Sequence, residues 1–201
     1  MLRAMTDLTD FLSHAWKTLA YAIAKVGVHA DLHQVPERIS KTVKRRVSAE
    51  LKRLAILLRR LIFLMALQVE LAPVKPRMGS NYFEKSEGEA KKKTCTFMLV
   101  PTVAGETPCF LRGPQTVPDQ GPVLAEPLID RWQAMLETLK NAQRRAKCLA
   151  RTLQRQRAEG EPKPYIVPIP NTHSFPADLA LISGGLTVQL TEALKDWPDS
   201  S

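Results

Sequence analysis

Two histidines, His29 and His33, stand four residues apart, a spacing that would place both imidazoles on one helical face and could hold a metal ion. A zinc-protease helix needs a glutamate directly after its first histidine, and this chain has Ala30 there. Two side chains do not complete a zinc site, so the remaining ligands would have to come from distant parts of the chain. We therefore expect a polar helix end at this point, with no metal and no cofactor.

Cys148 is a second candidate for chemistry, because it stands among basic residues that favour a reactive thiolate. No histidine lies near it in the sequence to act as a base, so a small packed cysteine is the expected outcome. The run Ser183-Gly184-Gly185 lacks the spacing and the lysine of a phosphate-binding loop and predicts a helix break instead. The sequence thus favours a protein that is not an enzyme. An enzyme whose site lies within residues 73–126 is an open alternative.

Positive charge is the strongest signal, and it is concentrated in two segments. The 201 residues carry a formal charge of +9, from 29 Lys and Arg against 20 Asp and Glu. Residues 37–60 hold nine basic and two acidic residues, and residues 131–157 hold eight basic and one acidic, so the remainder is net acidic. Such clusters are typical of nucleic-acid binding and of attachment to anionic lipid. They also occur on solvated faces and at contacts with acidic proteins.

An acidic protein partner is our first interpretation of this charge, non-specific nucleic-acid binding is the second, and an anionic membrane surface is the third. Aromatic residues that would stack on bases are almost absent here, so a nucleic-acid contact would be made to phosphates and would be non-specific. The basic side chains that we expect to contact the partner are Lys41, Lys44, Arg45, Arg46, Lys52, Arg53, Arg144, Arg145, Lys147 and Arg151.

The two basic segments belong to predicted long helices. Apolar residues at steps of three and four predict helices over residues 8–30, 36–71 and 127–159. Thr6 or Thr9 would cap the first helix and Gly27 would end it, whereas prolines 36 and 127 would begin the other two. The third helix carries a heptad seam. Its members are Leu128, Trp132, Met135, Leu139, Ala142, Ala146, Leu149 and Leu153.

These elements predict an all-α fold. Residues 36–71 and 127–160 would form a long antiparallel hairpin, paired along their full lengths, with the N-terminal helix packed along it, so that residues 1–72 comprise the N-terminal helix and the long basic helix. Alternatively, the seam would join two copies of the chain in a homodimer. Residues 73–126 contain seven prolines and predict a long, partly irregular insertion with one short strand from Thr94 to Val100. Residues 161–201 would be a Pro-rich tether and a short helical tail, divided at Gly184-Gly185.

The apolar run Leu61–Leu67 is too short to cross a membrane, and Arg59 and Arg60 precede it, so we predict no transmembrane span. Burial in the core is the expected role of this run, with contact to a lipid surface as the alternative. Three cysteines form no disulfide framework and favour a reducing compartment. Charged residues interrupt the N-terminal apolar run, so no signal peptide is expected. Together these features predict a soluble, cytoplasmic protein.

Overall fold

The computed structural model of the chain describes residues 2–71, 121–166, 169, 175–195 and 197. The α-helices in these ranges are α1 (Leu2–His29), α2 (Lys41–Leu67), α3 (Glu126–Lys140), α4 (Ala142–Ala158) and α5 (Ala177–Ala193). Two short strands, β1 (Arg38–Ile39) and β2 (Val123–Leu124), pair antiparallel, with Arg38 opposite Leu124 and Ile39 opposite Val123. A single 3₁₀ turn (Leu32–Gln34) precedes β1. The all-α prediction is confirmed.

Helix α2 lies at the centre of the fold, with α1, α4 and α5 packed against it. Its apolar residues recur at steps of three and four and turn towards these neighbours, and six of them have no exposed surface: Leu51, Leu57, Leu58, Leu61, Ile62 and Leu64. Each such side chain contributes about 1.5–3 kcal/mol by burial. Four residues of the apolar run Leu61–Leu67 are buried, so the prediction that this run belongs to the core is confirmed.

Helix α2 begins at Lys41, so the predicted start at Pro36 is wrong. Ser40 is the N-cap, and its Oγ accepts a hydrogen bond from the Val43 N–H at 3.3 Å. The residues before it are held extended, because β1 pairs with β2 and the Ala125 N–H donates to the Glu37 carbonyl oxygen at 3.1 Å. With 27 residues, α2 is about 40 Å long.

The predicted single helix over residues 127–159 is wrong, because the chain forms α3 and α4 with a break at Asn141. The backbone there has φ −104° and ψ 21°, and the Asn141 amide donates to the Glu137 carbonyl oxygen at 3.2 Å and to the Glu137 carboxylate. Asparagine competes in this way with helical hydrogen bonding. The predicted start is close to correct, since Pro127 lies in the first turn of α3.

The two halves of the broken helix pack on different partners. Helix α3 packs mainly on α1, whereas α4 begins beside the last turn of α2, where Gln143 and Lys147 share a cleft with Met65 and Gln68, and packs back along α2. The antiparallel hairpin is therefore formed by α2 and α4. Helix α3 also contacts α2 but packs mainly on α1, so the predicted pairing is close along α4 and weaker along α3.

Two further helix predictions are wrong. Helix α1 begins at Leu2, so Thr6 and Thr9 lie inside it and do not cap it, whereas its end at His29, two residues after Gly27, is one residue from the predicted end at residue 30. Helix α5 runs unbroken through Gly184 and Gly185. The Trp132 indole occupies the place of a Cβ at position 27, and the Phe11 ring lies 2.6 Å from the place of a Cβ at position 185. These two glycines permit close packing of aromatic rings on a helix.

No helix in the described ranges has the length and apolar character needed to cross a membrane. The predicted strand Thr94–Val100 and most of the predicted insertion lie outside the described residues. Residues 161–166, the described beginning of the predicted tether, form no helix and no strand.

Candidate anionic-partner surfaces

The exposed side of α4 is a row of cations. Arg144, Lys147, Arg151 and Arg155 follow steps of three and four, so they share one face, and all four are exposed. The opposite face is the buried one, formed by Ala142, Ala146, Leu149, Ala150 and Leu153. No acidic residue occurs in α4. We name these four cations the α4 ridge, which is about 16 Å long.

A second basic surface lies on α2, where pairs of basic residues repeat every seven positions. One row is Arg45, Lys52 and Arg59, and the other is Arg46, Arg53 and Arg60. Ala49, Ile56 and Phe63 follow the same step, and helical geometry places them between the two rows. Ala49 is exposed, and Ile56 and Phe63 are half-buried. We name the two rows with this apolar line the α2 face.

The predicted arginine pairs at 45–46 and 144–145 lie far apart along α2. Arg144 lines a cleft with Met65, near the end of α2, whereas Arg45 and Arg46 lie in its first two turns. The 19 residues from Arg46 to Met65 span about 28 Å along the helix axis. The structure therefore does not bring the pair at 45–46 together with the pair at 144–145.

Few acidic residues lie near the predicted cations: Glu50, the one acidic residue of α2, lies one helical turn from Arg46 and Arg53 and lines a cleft with Arg46 and Asp178. Lys41 and Lys44 are half-buried in the first turn of α2, Arg53 and Arg145 are half-buried, and the other predicted residues are exposed. An ion pair joins Lys195 to Glu192 at the end of α5, away from both surfaces. Neither α2 nor α4 has an acidic residue in its first turn. Cations at the positive end of a helix dipole are unfavourable by about 0.3–1 kcal/mol each.

Arg59 and Arg60, the last pair of the α2 face, were not among the predicted contact residues. Both are half-buried, and burial lowers the pKa of each guanidinium from its usual value; Arg131 on α3 lowers that of Arg59 further. The Arg60 Nη1 donates to the Thr187 Oγ1 on α5 at 3.4 Å. The seven-residue repeat of basic pairs was the sequence signal for this third pair, and the step of four from Arg151 was the signal for Arg155.

The groups first considered for catalysis are separated in the structure. His29 ends α1 and His33 lies in the 3₁₀ turn, so they do not share a helical face, and both are exposed. Cys148 is exposed on α4 beside the ridge, so the prediction of a packed cysteine is wrong. No group of three or more potential metal ligands occurs within the described part of the chain.

The heptad seam is used inside the chain. Leu128 and Met135 of α3 and Ala146, Leu149 and Leu153 of α4 are buried, and the Trp132 Nε1 donates to the Ile23 carbonyl oxygen on α1 at 2.9 Å. Homodimerisation through the seam stays a prediction.

Neither a protein-family model, nor a curated protein, nor a solved structure matches this chain. The chemistry of the α4 ridge and the α2 face is therefore what supports a functional proposal.

Proposed function

We propose that the protein is a non-enzymatic interaction protein and that its α2 face binds an acidic helix of a protein partner. The observation that carries this proposal is the seven-residue repeat itself. Two rows of cations flank an apolar line over residues 45–63, and an amphipathic helix with acidic residues at heptad spacing has the complementary pattern.

The charges of the α2 face support this proposal further. Lys41 and Lys44 lie at the positive end of the helix dipole, and no described acidic residue pairs with Arg45 or Lys52. A solvated surface usually mixes both signs of charge. An acidic partner would relieve the repulsion between these cations and cover the apolar atoms of Ile56.

The test uses a 21-residue peptide with Leu at positions a and d and Glu at positions e and g, with poly-L-glutamate as an acidic probe that lacks apolar residues. We expect the peptide to bind at least tenfold more tightly than poly-L-glutamate, because only the peptide can contact the apolar line. Isothermal titration calorimetry at 50 and 150 mM salt measures both affinities.

Two variants of equal charge change locate the contact. Arg45→Gln/Lys52→Gln should weaken peptide binding about three- to tenfold, in line with two exposed ion pairs. Lys140→Gln/Lys163→Gln removes two exposed cations outside both surfaces and should change it less than twofold. Equal weakening by both variants, or peptide binding no tighter than that of poly-L-glutamate, would contradict the proposal.

A nucleic acid is a second candidate partner, and the α4 ridge is the observation that favours it. Three of its four cations are arginines, which bind phosphate in a bidentate manner, and the ridge has no apolar side chain for a protein interface core. Binding of a random-sequence 20-bp duplex should then weaken in Arg151→Gln/Arg155→Gln, with a salt slope smaller by about two. An unchanged slope would exclude phosphate contacts by these arginines.

An anionic membrane surface, the third interpretation, has less support. In this interpretation the apolar run Leu61–Leu67 would contact lipid. Four of its residues are buried in the core instead. Co-sedimentation with anionic vesicles tests this alternative, and we expect the protein to stay in the supernatant at 150 mM salt.

A further inference from the structure

A cleft of about 660 Å³ lies where the first half of α1 faces the break between α3 and α4. Its apolar wall consists of Leu12, Trp16, Met65 and Leu139, all of which are half-buried. A neighbouring cleft of about 290 Å³ shares Leu12, Met65 and Gln143 with it. These volumes fall in the range of small-molecule sites in proteins.

The break at Asn141 creates this cleft. Helix α3 stays with α1 up to Lys140, and α4 then leaves to pack on α2, so a wedge opens between the three helices. Apolar atoms of Trp16 and Leu139 line the wedge and are not covered by the described part of the chain. An uninterrupted helix over residues 127–159 would have brought no such change of packing partner.

The charge in the cleft has one sign. Lys17, Lys140 and Arg144 line it and are exposed, and no acidic residue occurs among its described lining residues. The Asn141 amide donates to Glu137, so its side chain does not cap the first turn of α4, which forms one wall. An anionic group there would lie near three cations and near the amino end of a helix.

We propose that this cleft binds an amphipathic anion, a small molecule with an apolar body and a single carboxylate or phosphate group. The apolar body would lie against Leu12, Trp16 and Met65, and the anionic group would lie between Lys17, Lys140 and Arg144. This site is independent of the proposed function, because only Arg144 belongs to both the cleft and the α4 ridge, and the α2 face does not line it.

The test titrates the full chain with sodium decanoate, below the concentration at which it forms micelles, and with decyltrimethylammonium, which has the same chain length and the opposite charge. Calorimetry should show saturable binding of decanoate and at least tenfold weaker binding of the cation. In a ¹H–¹⁵N spectrum, the indole N–H signal of Trp16, assigned with Trp16→Phe, should shift more than those of Trp132 and Trp197, because only Trp16 lines the cleft.

Two double variants with the same change of net charge separate this site from general attraction to a basic protein. Lys17→Gln/Lys140→Gln should weaken decanoate binding about fivefold, whereas Arg151→Gln/Arg155→Gln should leave it within twofold, because neither arginine lines the cleft. The proposal is overturned if decanoate does not bind, if the cation binds as tightly, if both double variants weaken binding equally, or if the Trp16 signal does not move.

The variants of the α2 face and of the cleft also distinguish failure of one proposal from failure of the other. Arg45→Gln/Lys52→Gln tests the α2 face and should leave decanoate binding unchanged. Loss of acidic-peptide binding with intact decanoate binding would therefore leave the cleft assignment standing, and the reverse result would leave the proposed function standing.

Discussion

Gly27 allows the sharpest test of how α1 and α3 pack. Alanine is favoured over glycine inside a helix by about 1 kcal/mol, so helix propensity alone predicts that Gly27→Ala stabilises the protein. The structure predicts the opposite, because the Trp132 indole lies against the backbone of residue 27, with its Nε1 only 2.7 Å from the place of the new Cβ. The ring is also held by its hydrogen bond to the Ile23 carbonyl oxygen at 2.9 Å.

The size of the effect follows from three contributions. Normal contact between carbon atoms is about 3.5–4.0 Å, so the indole must move by about 1 Å or more. Overpacking of this kind costs about 1–3 kcal/mol, and weakening the Trp132 hydrogen bond costs about 1 kcal/mol. After the gain of about 1 kcal/mol in helix propensity, Gly27→Ala should lower the free energy of unfolding by about 1–3 kcal/mol.

Urea unfolding of Gly27→Ala, Gly184→Ala, Trp132→Phe and the double variant Gly27→Ala/Trp132→Phe measures this effect. Gly184→Ala is the matched control, since a Cβ there meets nothing within 4 Å, and it should raise the free energy of unfolding by up to about 1 kcal/mol. In Gly27→Ala/Trp132→Phe the smaller ring makes room for the methyl group, so the two substitutions should be coupled by about 1 kcal/mol or more. If Gly27→Ala stabilises as much as Gly184→Ala, or if the double variant is additive, the close packing of the ring on α1 is refuted.

Three further substitutions test single features of the fold by the same unfolding measurement. Ser40→Ala removes the N-cap of α2 and should cost about 1 kcal/mol, whereas Ser40→Asp should cost much less; equal losses would mean that the cap contributes nothing. Val35 is exposed and has φ +52°, so Val35→Asn should stabilise by about 0.5–1 kcal/mol, and no gain would mean that this backbone is not strained. Trp197→Phe removes the indole hydrogen bond to the Glu161 carbonyl oxygen at 3.1 Å and should cost about 1 kcal/mol; an unchanged stability would show that this bond does not hold the end of the chain.

The helices themselves could be predicted from apolar periodicity, and so could the ends of α1 and α4 to within one residue, but the starts of α1 and α2 could not. In α2 the steps of three and four from Val47 to Ile62 mark one buried face, and the structure buries that face. The start of α2 depends on a contact between distant parts of the chain. Pro36 and Ser40 are both good start signals, and the pairing of β1 with β2, which joins residues 84 and 86 positions apart, decides between them.

Gly27, Gly185 and Asn141 show why the remaining errors arose. A glycine in a helical pattern indicates either a break or a close contact, and only the position of Trp132 or Phe11 in three dimensions distinguishes the two. At Asn141 the heptad pattern continues through the break without interruption, so the pattern itself contains no sign of it. At the break the Asn141 side-chain amide donates to Glu137, a contact that only the structure shows.

The candidate surfaces, too, could be predicted only in part from the sequence. The sequence gives the faces of α2 and α4 on which cations lie, because helical spacing alone places Arg144, Arg151 and Arg155 on one side. The sequence does not show how the two surfaces are arranged in space relative to each other. That relation depends on where α4 meets α2, and hence on the break at Asn141.

The separation of the arginine pairs at 45–46 and 144–145 limits what a partner can be. At physiological ionic strength the Debye length is about 8 Å, so charges about 28 Å apart on the surface hardly influence each other. The pair at 45–46 and the pair at 144–145 can therefore be occupied independently, and removing charge from one should leave the affinity at the other unchanged. A single partner that contacts both must span about 28 Å, the length of a helix of about 19 residues. The 21-residue acidic peptide is long enough for this, so any dependence of its binding on both Arg45 and Arg144 would identify one continuous site.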